Sequence, residues 1–262
     1  MPEEVDRGNE EIWRSMLMGT NRFVRFGHST FARLPSPPRC ELCATPFKGP
    51  FTPVLRAFGK APFAKNPRYC AVCIGRLMKK KGGAEVELSA LFADVRGSTP
   101  MAERLGAAGM HEMMDRFYSE GVDALIRGGA LIERFMGDQI VGYFVPGYAG
   151  RDHAKRALET ALEVLRVTGN AGRGPAWIPV GVGVHSGTAF IGTVGRTGGL
   201  LELTALGEDV NVAARLASEA LAGEIVCSEV TFDSAGLDFA AERREVMLKG
   251  VTKPVAVRVV RP

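Results

Sequence analysis

Two aspartates stand where they could hold metal ions. Asp94 ends an apolar strand-like run that begins at Val86, and Asp138 follows Gly137 between two further strand-like runs, the signature of a tight hairpin. If neighbouring strands bring them together, they form a carboxylate pair for two Mg²⁺ or Mn²⁺ ions. Such ions sit about 3.5–4 Å apart and stabilise the attacking and leaving oxygens of a phosphoryl transfer. Taken alone, a hairpin aspartate is weak evidence of function, and Asp138 reads first as an ordinary turn residue. The glycine of the loop after Asp94, Gly97, leaves backbone N–H groups free to cradle phosphate. In Gly207-Glu-Asp-Val-Asn211-Val-Ala-Ala-Arg215, a loop enters a helix, and Asn211 and Arg215 share one face of it.

Four of the five cysteines form two Cys-x-x-Cys pairs, Cys40/Cys43 and Cys70/Cys73, with 26 residues between the pairs. The spacing reads as a structural zinc site of four converging thiolates. An iron–sulfur cluster takes the same ligands and would make this part a redox or gas sensor. Four buried, unliganded cysteines are the plain alternative. Arg39, Lys48, Lys65 and Arg68 lie nearby in sequence and would favour thiolates. Between the pairs the chain is rich in Pro and Phe and lacks periodicity, so a metal staple suits it. Cys227, in an apolar strand-like run, reads as core.

The elements that must position these residues can be read from periodicity. Residues 10–34 predict an amphipathic helix with Ile12, Met16, Phe23 and Phe26 on its packed face. Thr99 before Pro100 reads as a helix N-cap and first turn, followed by Met110, Met114, Phe117, Gly121 and Leu125 on one core face. A helix follows from about Asp152 to Val167, with Ala154, Leu158, Ala161 and Leu165 inward. Then come a glycine-punctuated strand run from Ile178 to Gly187 and a hairpin arm from Ala189. Strands over Glu224–Thr231, Phe239–Lys249 and Val255–Val260 close the chain. Strands and helices mix without strict βαβ alternation, which predicts an α/β or α+β sandwich with a mostly antiparallel sheet.

The 262 residues carry 46% hydrophobic and 24% charged side chains, which argues against a disordered chain, a collagen-like repeat and a disulfide-dense mini-protein. Residues 1–83 hold 15 Lys and Arg against 6 Asp and Glu, a balance of +9. Residues 84–262 hold 18 against 23, a balance of −5. Two parts of different character are expected to join near Gly82-Gly83. The basic charges are scattered, so nucleic-acid binding is disfavoured. They can complement the acidic part, within one chain or across a dimer. No apolar run approaches the length of a membrane span, and no secretory signal is visible, so the expected location is the cytoplasm.

From Val86 to Val260 the sequence resembles the class III nucleotidyl cyclases, the adenylate and guanylate cyclase family. Five motifs carry the resemblance, in the family's order: Phe92-Ala-Asp-Val-Arg-Gly-Ser-Thr99, Arg134-Phe-Met-Gly-Asp138, Val182-Gly-Val-His-Ser-Gly187, Gly207 to Arg215, and Leu248-Lys-Gly-Val-Thr-Lys-Pro254. The resemblance implies a ferredoxin-like fold with a mostly antiparallel sheet over residues 84–262. Residues 1–83 are read from their own cysteines and charge, outside the resemblance, as an added four-cysteine module that regulates or dimerises it. For residues 84–262 the resemblance implies Asp94, Asp138 and the Val95 carbonyl as ligands of Mg²⁺ or Mn²⁺, two per site. Asn211 would orient the ribose, Arg215 would neutralise charge growing on the α-phosphate, and Lys249 would grip the triphosphate. The implied reaction is attack of the ribose 3′-oxygen on the α-phosphorus, giving a 3′,5′-cyclic nucleotide and pyrophosphate. No protein nucleophile is needed, so Ser98, His185 and Ser186 need not be catalytic, and His185 reads as structural. Because the family shares each site between two catalytic domains, a head-to-tail homodimer is implied.

The family's base-reading positions fall on Arg134 and Thr204. Arg134 is a donor only and suits adenine N1, and Thr204 can accept from the adenine amino group, so ATP is favoured. Arg could also donate to guanine O6, which keeps GTP open. Pro179 stands where the family often has Arg, so phosphate anchoring would fall to Arg96 and Gly97. Ser98 replaces a common aromatic. A non-catalytic nucleotide-binding signalling module and a zinc-containing nucleic-acid binder are the remaining alternatives.

Overall fold

The computed structural model describes residues 7–31, 33–34, 38–40, 42–63, 66–78, 82–133, 137–172, 174–195, 201–238, 240–248 and 254–262. The chain divides into two compact units, Met1–Val86 with Phe190–Ala205, and Glu87–Ala189 with Leu206–Pro262.

The first unit carries α1 (Arg7–Leu17), α2 (Arg22–Phe31), α3 (Thr52–Ala57), the hairpin β1 (Pro62–Phe63) and β2 (Asn66–Cys70), and α4 (Ala71–Met78). The single helix expected over 10–34 is two helices. Gly19 adopts φ 69°, a left-handed conformation that ends α1, and the Asn21 side chain accepts from the Phe23 N–H at 3.0 Å to start α2. Trp13, Met16 and Leu17 are buried apolar residues of α1, whereas Ile12 and Phe26 are exposed. Gly82-Gly83 is held backbone to backbone: Gly82 O accepts from Thr193 N at 3.0 Å. A Cβ on Gly83 would lie 2.6 Å from the Gly192 Cα.

The remaining elements follow as β3 (Gly83–Val95), α5 (Ser98–Gly128), β4 (Leu131–Ile132), β5 (Gln139–Phe144), α6 (Pro146–Ala149), α7 (His153–Val167), β6 (Val180–Gly195), β7 (Leu201–Leu206), α8 (Glu208–Glu219), β8 (Ile225–Ser228), α9 (Glu229–Ala235), β9 (Ala241–Val246) and β10 (Val255–Val260). Eight strands form one sheet in the order β4-β5-β3-β6-β8-β10-β9, with β7 on β6. The β3–β5, β4–β5, β8–β10 and β9–β10 pairs are antiparallel. β6 and β8 are parallel, which requires a crossover, and α8 supplies it. Alternation divides the core. Ile225 and Cys227 of β8 join the cluster under α5, α7 and α9, and Val226 joins the cluster under α8 with Val257 and Val259. This mixed α/β architecture agrees with the expected fold class.

Several boundaries differ from the sequence reading, β9 for one running over Ala241–Val246 rather than Phe239–Lys249. α5 begins at Ser98 with Gly97 at its N-cap, because the left-handed φ of 66° there belongs to glycine; Pro100 sits within the first turn, where its missing N–H has no helical partner to lose. The strand runs predicted before and after Gly187 are one continuous strand, β6. The strand expected over Glu224–Thr231 stops at Ser228, whose Oγ accepts from Thr231 N at 3.4 Å and caps α9.

Candidate functional site

The register of β3 on β5 sets Asp94 opposite Gln139, so the next residue back along the chain, Asp138, lies beside the end of β3. Val95 N donates to the Asp138 carbonyl at 3.1 Å, which ties the two aspartate loops together. Gln139 Nε2 donates to Asp94 Oδ2. Arg96 reaches the other oxygen, with 2.7 Å between its guanidinium and Asp94 Oδ1. Ser98 Oγ donates to Asp138 Oδ2 at 2.6 Å, and Tyr118 Oη donates to the Gly137 carbonyl. Two side chains of α5 therefore hold the hairpin tip. Burial pushes the Asp94 carboxyl above its ordinary range, opposed by the Gln139 hydrogen bond and the Arg96 charge. Burial followed by the Asp138 charge pushes the Tyr118 phenol up. An all-oxygen donor set of two carboxylates and a neighbouring carbonyl suits hard cations such as Mg²⁺ and Mn²⁺.

Asn211 and Arg215 lie on α8, outside its buried face of Val210, Val212, Ala213, Leu216 and Ala217. Glycines fix where that helix sits. A Cβ on Gly183 would lie 2.1 Å from Ala217 N, and one on Gly181 would lie 2.7 Å from Ala220 O, so the backbone of α8 rests directly on β6. His185 holds the start of the helix: its Nδ1 pairs with Ser228 Oγ at 2.7 Å and its Nε2 with Asp209 Oδ1 at 3.1 Å. The other Asp209 oxygen accepts from Thr188 N at 2.7 Å. Ser186 Oγ lies 2.6 Å from Ser89 Oγ in a buried polar group with His153. Arg96 also reaches α8, donating to Ser218 O at 3.2 Å. Among the described residues, no hydrogen bond or ion pair joins Asn211 or Arg215 to Asp94 or Asp138. Thr204 is half-buried on β7. Arg134 and Lys249 lie outside the described residues.

A second cluster lies in the first unit. The Sγ atoms of Cys40, Cys43, Cys70 and Cys73 lie within 4.8 Å of one another, and all four residues are buried. The first pair sits on a knuckle closed by Ala44 N to Cys40 O at 2.8 Å and Cys40 N to Thr45 O at 2.9 Å. The second pair straddles the end of β2 and the first turn of α4, where Cys73 N donates to Cys70 Sγ at 3.4 Å. Cys43 and Cys70 Sγ are 3.7 Å apart. A tetrahedron with metal–sulfur bonds of about 2.3 Å has edges of about 3.75 Å, so the cage fits a single ion. An iron–sulfur cluster, which shares its thiolates among several irons, needs a wider spread. Of the expected cations Arg39, Lys48, Lys65 and Arg68, Lys65 and the Arg68 side chain lie outside the described residues. Among the described residues, Lys60, outside that expected set, is a cation that reaches the cage. Its Nζ lies 3.8 Å from Cys43 Sγ and 3.2 Å from Thr45 Oγ1, between the rings of Phe23 and Phe31. Hydrogen bonds, first from Cys40, hold the Cys43 thiol far below its ordinary range. Cys227 is core, its thiol pushed up to about 12 by burial.

Ser98, Tyr118, Gln139 and Lys60 were not legible as supporting residues, because each acts on a partner at least 17 positions away in sequence. Among the described residues, no helix is long and apolar enough to cross a membrane.

A family model for the adenylate and guanylate cyclase catalytic domain matches residues 83–259. An adenylate cyclase of Anabaena cylindrica is 29% identical over 151 residues, covering 56% of this chain and 30% of the relative. The chain thus spans about a third of the length of the curated relatives it matches. Among solved structures, the adenylyl cyclase CyaB from P. aeruginosa shares the fold at a TM-score of 0.61 and 24% identity, over 69% of this chain and 96% of that one. The guanylyl cyclase Cya2 aligns at a TM-score of 0.61 and 28% identity, over 68% and 93%.

Proposed function

From the premise that the chain belongs to the adenylate and guanylate cyclase catalytic-domain family, we propose that it is an adenylate cyclase whose site is shared across a homodimer. The observation that carries this reading is the β3–β5 register, which puts Asp94 and Asp138 side by side at one sheet end. Asp94, Asp138 and the Val95 carbonyl are the proposed ligands. Two Mg²⁺ or Mn²⁺ ions bound there would supply acidification of the ribose 3′-hydroxyl and charge neutralisation on the phosphates.

The chain's own residues do the rest. Ser98 and Tyr118 fix the hairpin tip, so that Asp138 is aimed before substrate arrives. Gly97, left-handed at the start of α5, together with Arg96 and Lys249, holds the triphosphate. Asn211 orients the ribose, so that its 3′-oxygen approaches the α-phosphorus in line with the departing pyrophosphate. As the 3′-O–P bond forms and the bond to pyrophosphate breaks, the hydroxyl proton passes to solvent water. Arg215 meets the negative charge that builds on the α-phosphate. Arg134 and Thr204 read the base, and their donor and hydroxyl chemistry favours ATP over GTP. The four-cysteine cage is assigned to zinc, and residues 1–83 are proposed as a module that regulates or dimerises residues 84–262.

The test is an assay of cyclic nucleotide from ATP and from GTP with Mg²⁺ or Mn²⁺, with Asp94→Ala and Asn211→Ala run alongside. ATP is expected to give cyclic AMP, each variant to lose at least about a hundredfold in rate, and a mixture of the two variants to recover activity from hybrid sites. No product from ATP sinks the adenylate cyclase assignment, and product from GTP alone replaces it with a guanylate cyclase. Two inactive variants that stay inactive when mixed sink the shared site.

A further inference from the structure

Arg96 is committed to two places at once. One guanidinium nitrogen lies 2.7 Å from Asp94 Oδ1, another donates to Ser218 O at 3.2 Å, and Nε donates to Asp94 O at 3.3 Å. Its backbone is pinned separately, through Arg96 N to Pro179 O at 2.8 Å, so the side chain can leave without the loop moving. The arginine and aspartate side chains are 24% and 15% exposed, so solvent screens their attraction only in part. Gln139 occupies the second Asp94 oxygen, so the carboxylate is satisfied by the protein itself.

Resting on the metal-ligand reading of Asp94, we propose that Arg96 couples metal binding to nucleotide binding. A divalent ion that takes Asp94 must compete with a guanidinium already there, and the two cations repel if they share the carboxylate. Arg96 then needs a new anionic partner. A nucleoside triphosphate supplies one, because the planar guanidinium fork pairs two oxygens of a phosphate as well as it pairs a carboxylate. Arg96 therefore weakens metal binding to the nucleotide-free chain and rewards the two ligands for arriving together. By linkage, each then tightens the other equally. Arg96 acts as a positioning and coupling residue whose partner changes from Asp94 to phosphate.

The experiment is a Mn²⁺ titration of the full chain by electron paramagnetic resonance. It is run without nucleotide and with 3′-deoxy-ATP, which lacks the attacking hydroxyl, and solution Mn²⁺–nucleotide binding is subtracted. Mn²⁺ suits the purpose because thiolate sites bind it poorly. Without nucleotide, Arg96→Gln is expected to bind Mn²⁺ on the order of tenfold more tightly than the parent and to lose the tightening that the nucleotide brings. Arg96→Lys, which keeps the charge, should stay near the parent value. Arg96→Met serves the same comparison should the amide variant fail to fold. Unchanged or weaker Mn²⁺ binding in the neutral variants, with Asp94→Asn clearly weakened, overturns the coupling and leaves the metal ligands standing. Unchanged binding in Asp94→Asn removes the metal-ligand reading, and the coupling with it.

Discussion

At the scale of single residues, glycine decides as much as the charged groups do. Gly183 has no room for a methyl group, which would press on the backbone nitrogen of Ala217. Gly183→Ala is expected to cost about 3 kcal/mol in denaturant unfolding and to lower cyclase activity further, because α8 must lift and carry Asn211 and Arg215 with it. Gly137→Ala is the control: its Cβ would meet open space, and only the φ of 63° is strained, so about 1 kcal/mol is expected. Equal losses would mean that the close approach at Gly183 does not set the helix. The aspartates were legible at this scale, because a strand end and a Gly-Asp hairpin are local signals. Their supports were not. Nothing around Ser98 or Tyr118 announces that both face the tip of a hairpin about 20 to 40 residues away, since that depends on how α5 lies across the sheet.

Elements obey a different logic. α7 was legible because Ala154, Leu158, Ala161 and Leu165 recur at helical spacing, and all are buried. α9 was missed because Val230 and Thr231 prolong the β-branched pattern of β8, while the Ser228 side chain turns the backbone into a helix. The first turn of α7 also sets a pH dependence. His153 is buried there with Nδ1 2.9 Å from Ser89 Oγ. Burial lowers its pKa from the ordinary 6.5, more than the Glu87 and Asp152 charges raise it. The folded chain therefore binds the proton less readily than the unfolded chain. Stability should be flat with respect to this group above pH 6.5 and decline as pH falls below it towards the folded value. Unfolding free energies from pH 7.5 to 5.5 should show this slope in the parent and lose it in His153→Gln. An equal slope in both would assign it to other groups.

For the whole molecule, the chain combines a cyclase catalytic domain with a compact four-cysteine site. Elemental analysis is expected to find about one zinc per chain. Stripping it with a thiol-directed mercurial and a chelator should lower the melting temperature, because the Pro- and Phe-rich segment lacks the apolar periodicity to hold itself. Visible absorbance with bound iron would reassign the metal. The mixed α/β class was legible because strand and helix patterns mix without strict βαβ alternation, whereas the grouping of residues 190–205 with the N-terminal unit was not, because no local pattern reports it. That grouping bears on the order of events on the ribosome. All four cysteines have been made by residue 73, so their cage can close on an ion early. The unit they belong to still lacks the end of β6 and most of β7, which are synthesised more than 110 residues later. An ion could therefore be captured before the unit is complete, because its last segment, residues 190–205, is made only after residues 87–189 of the other unit have been translated.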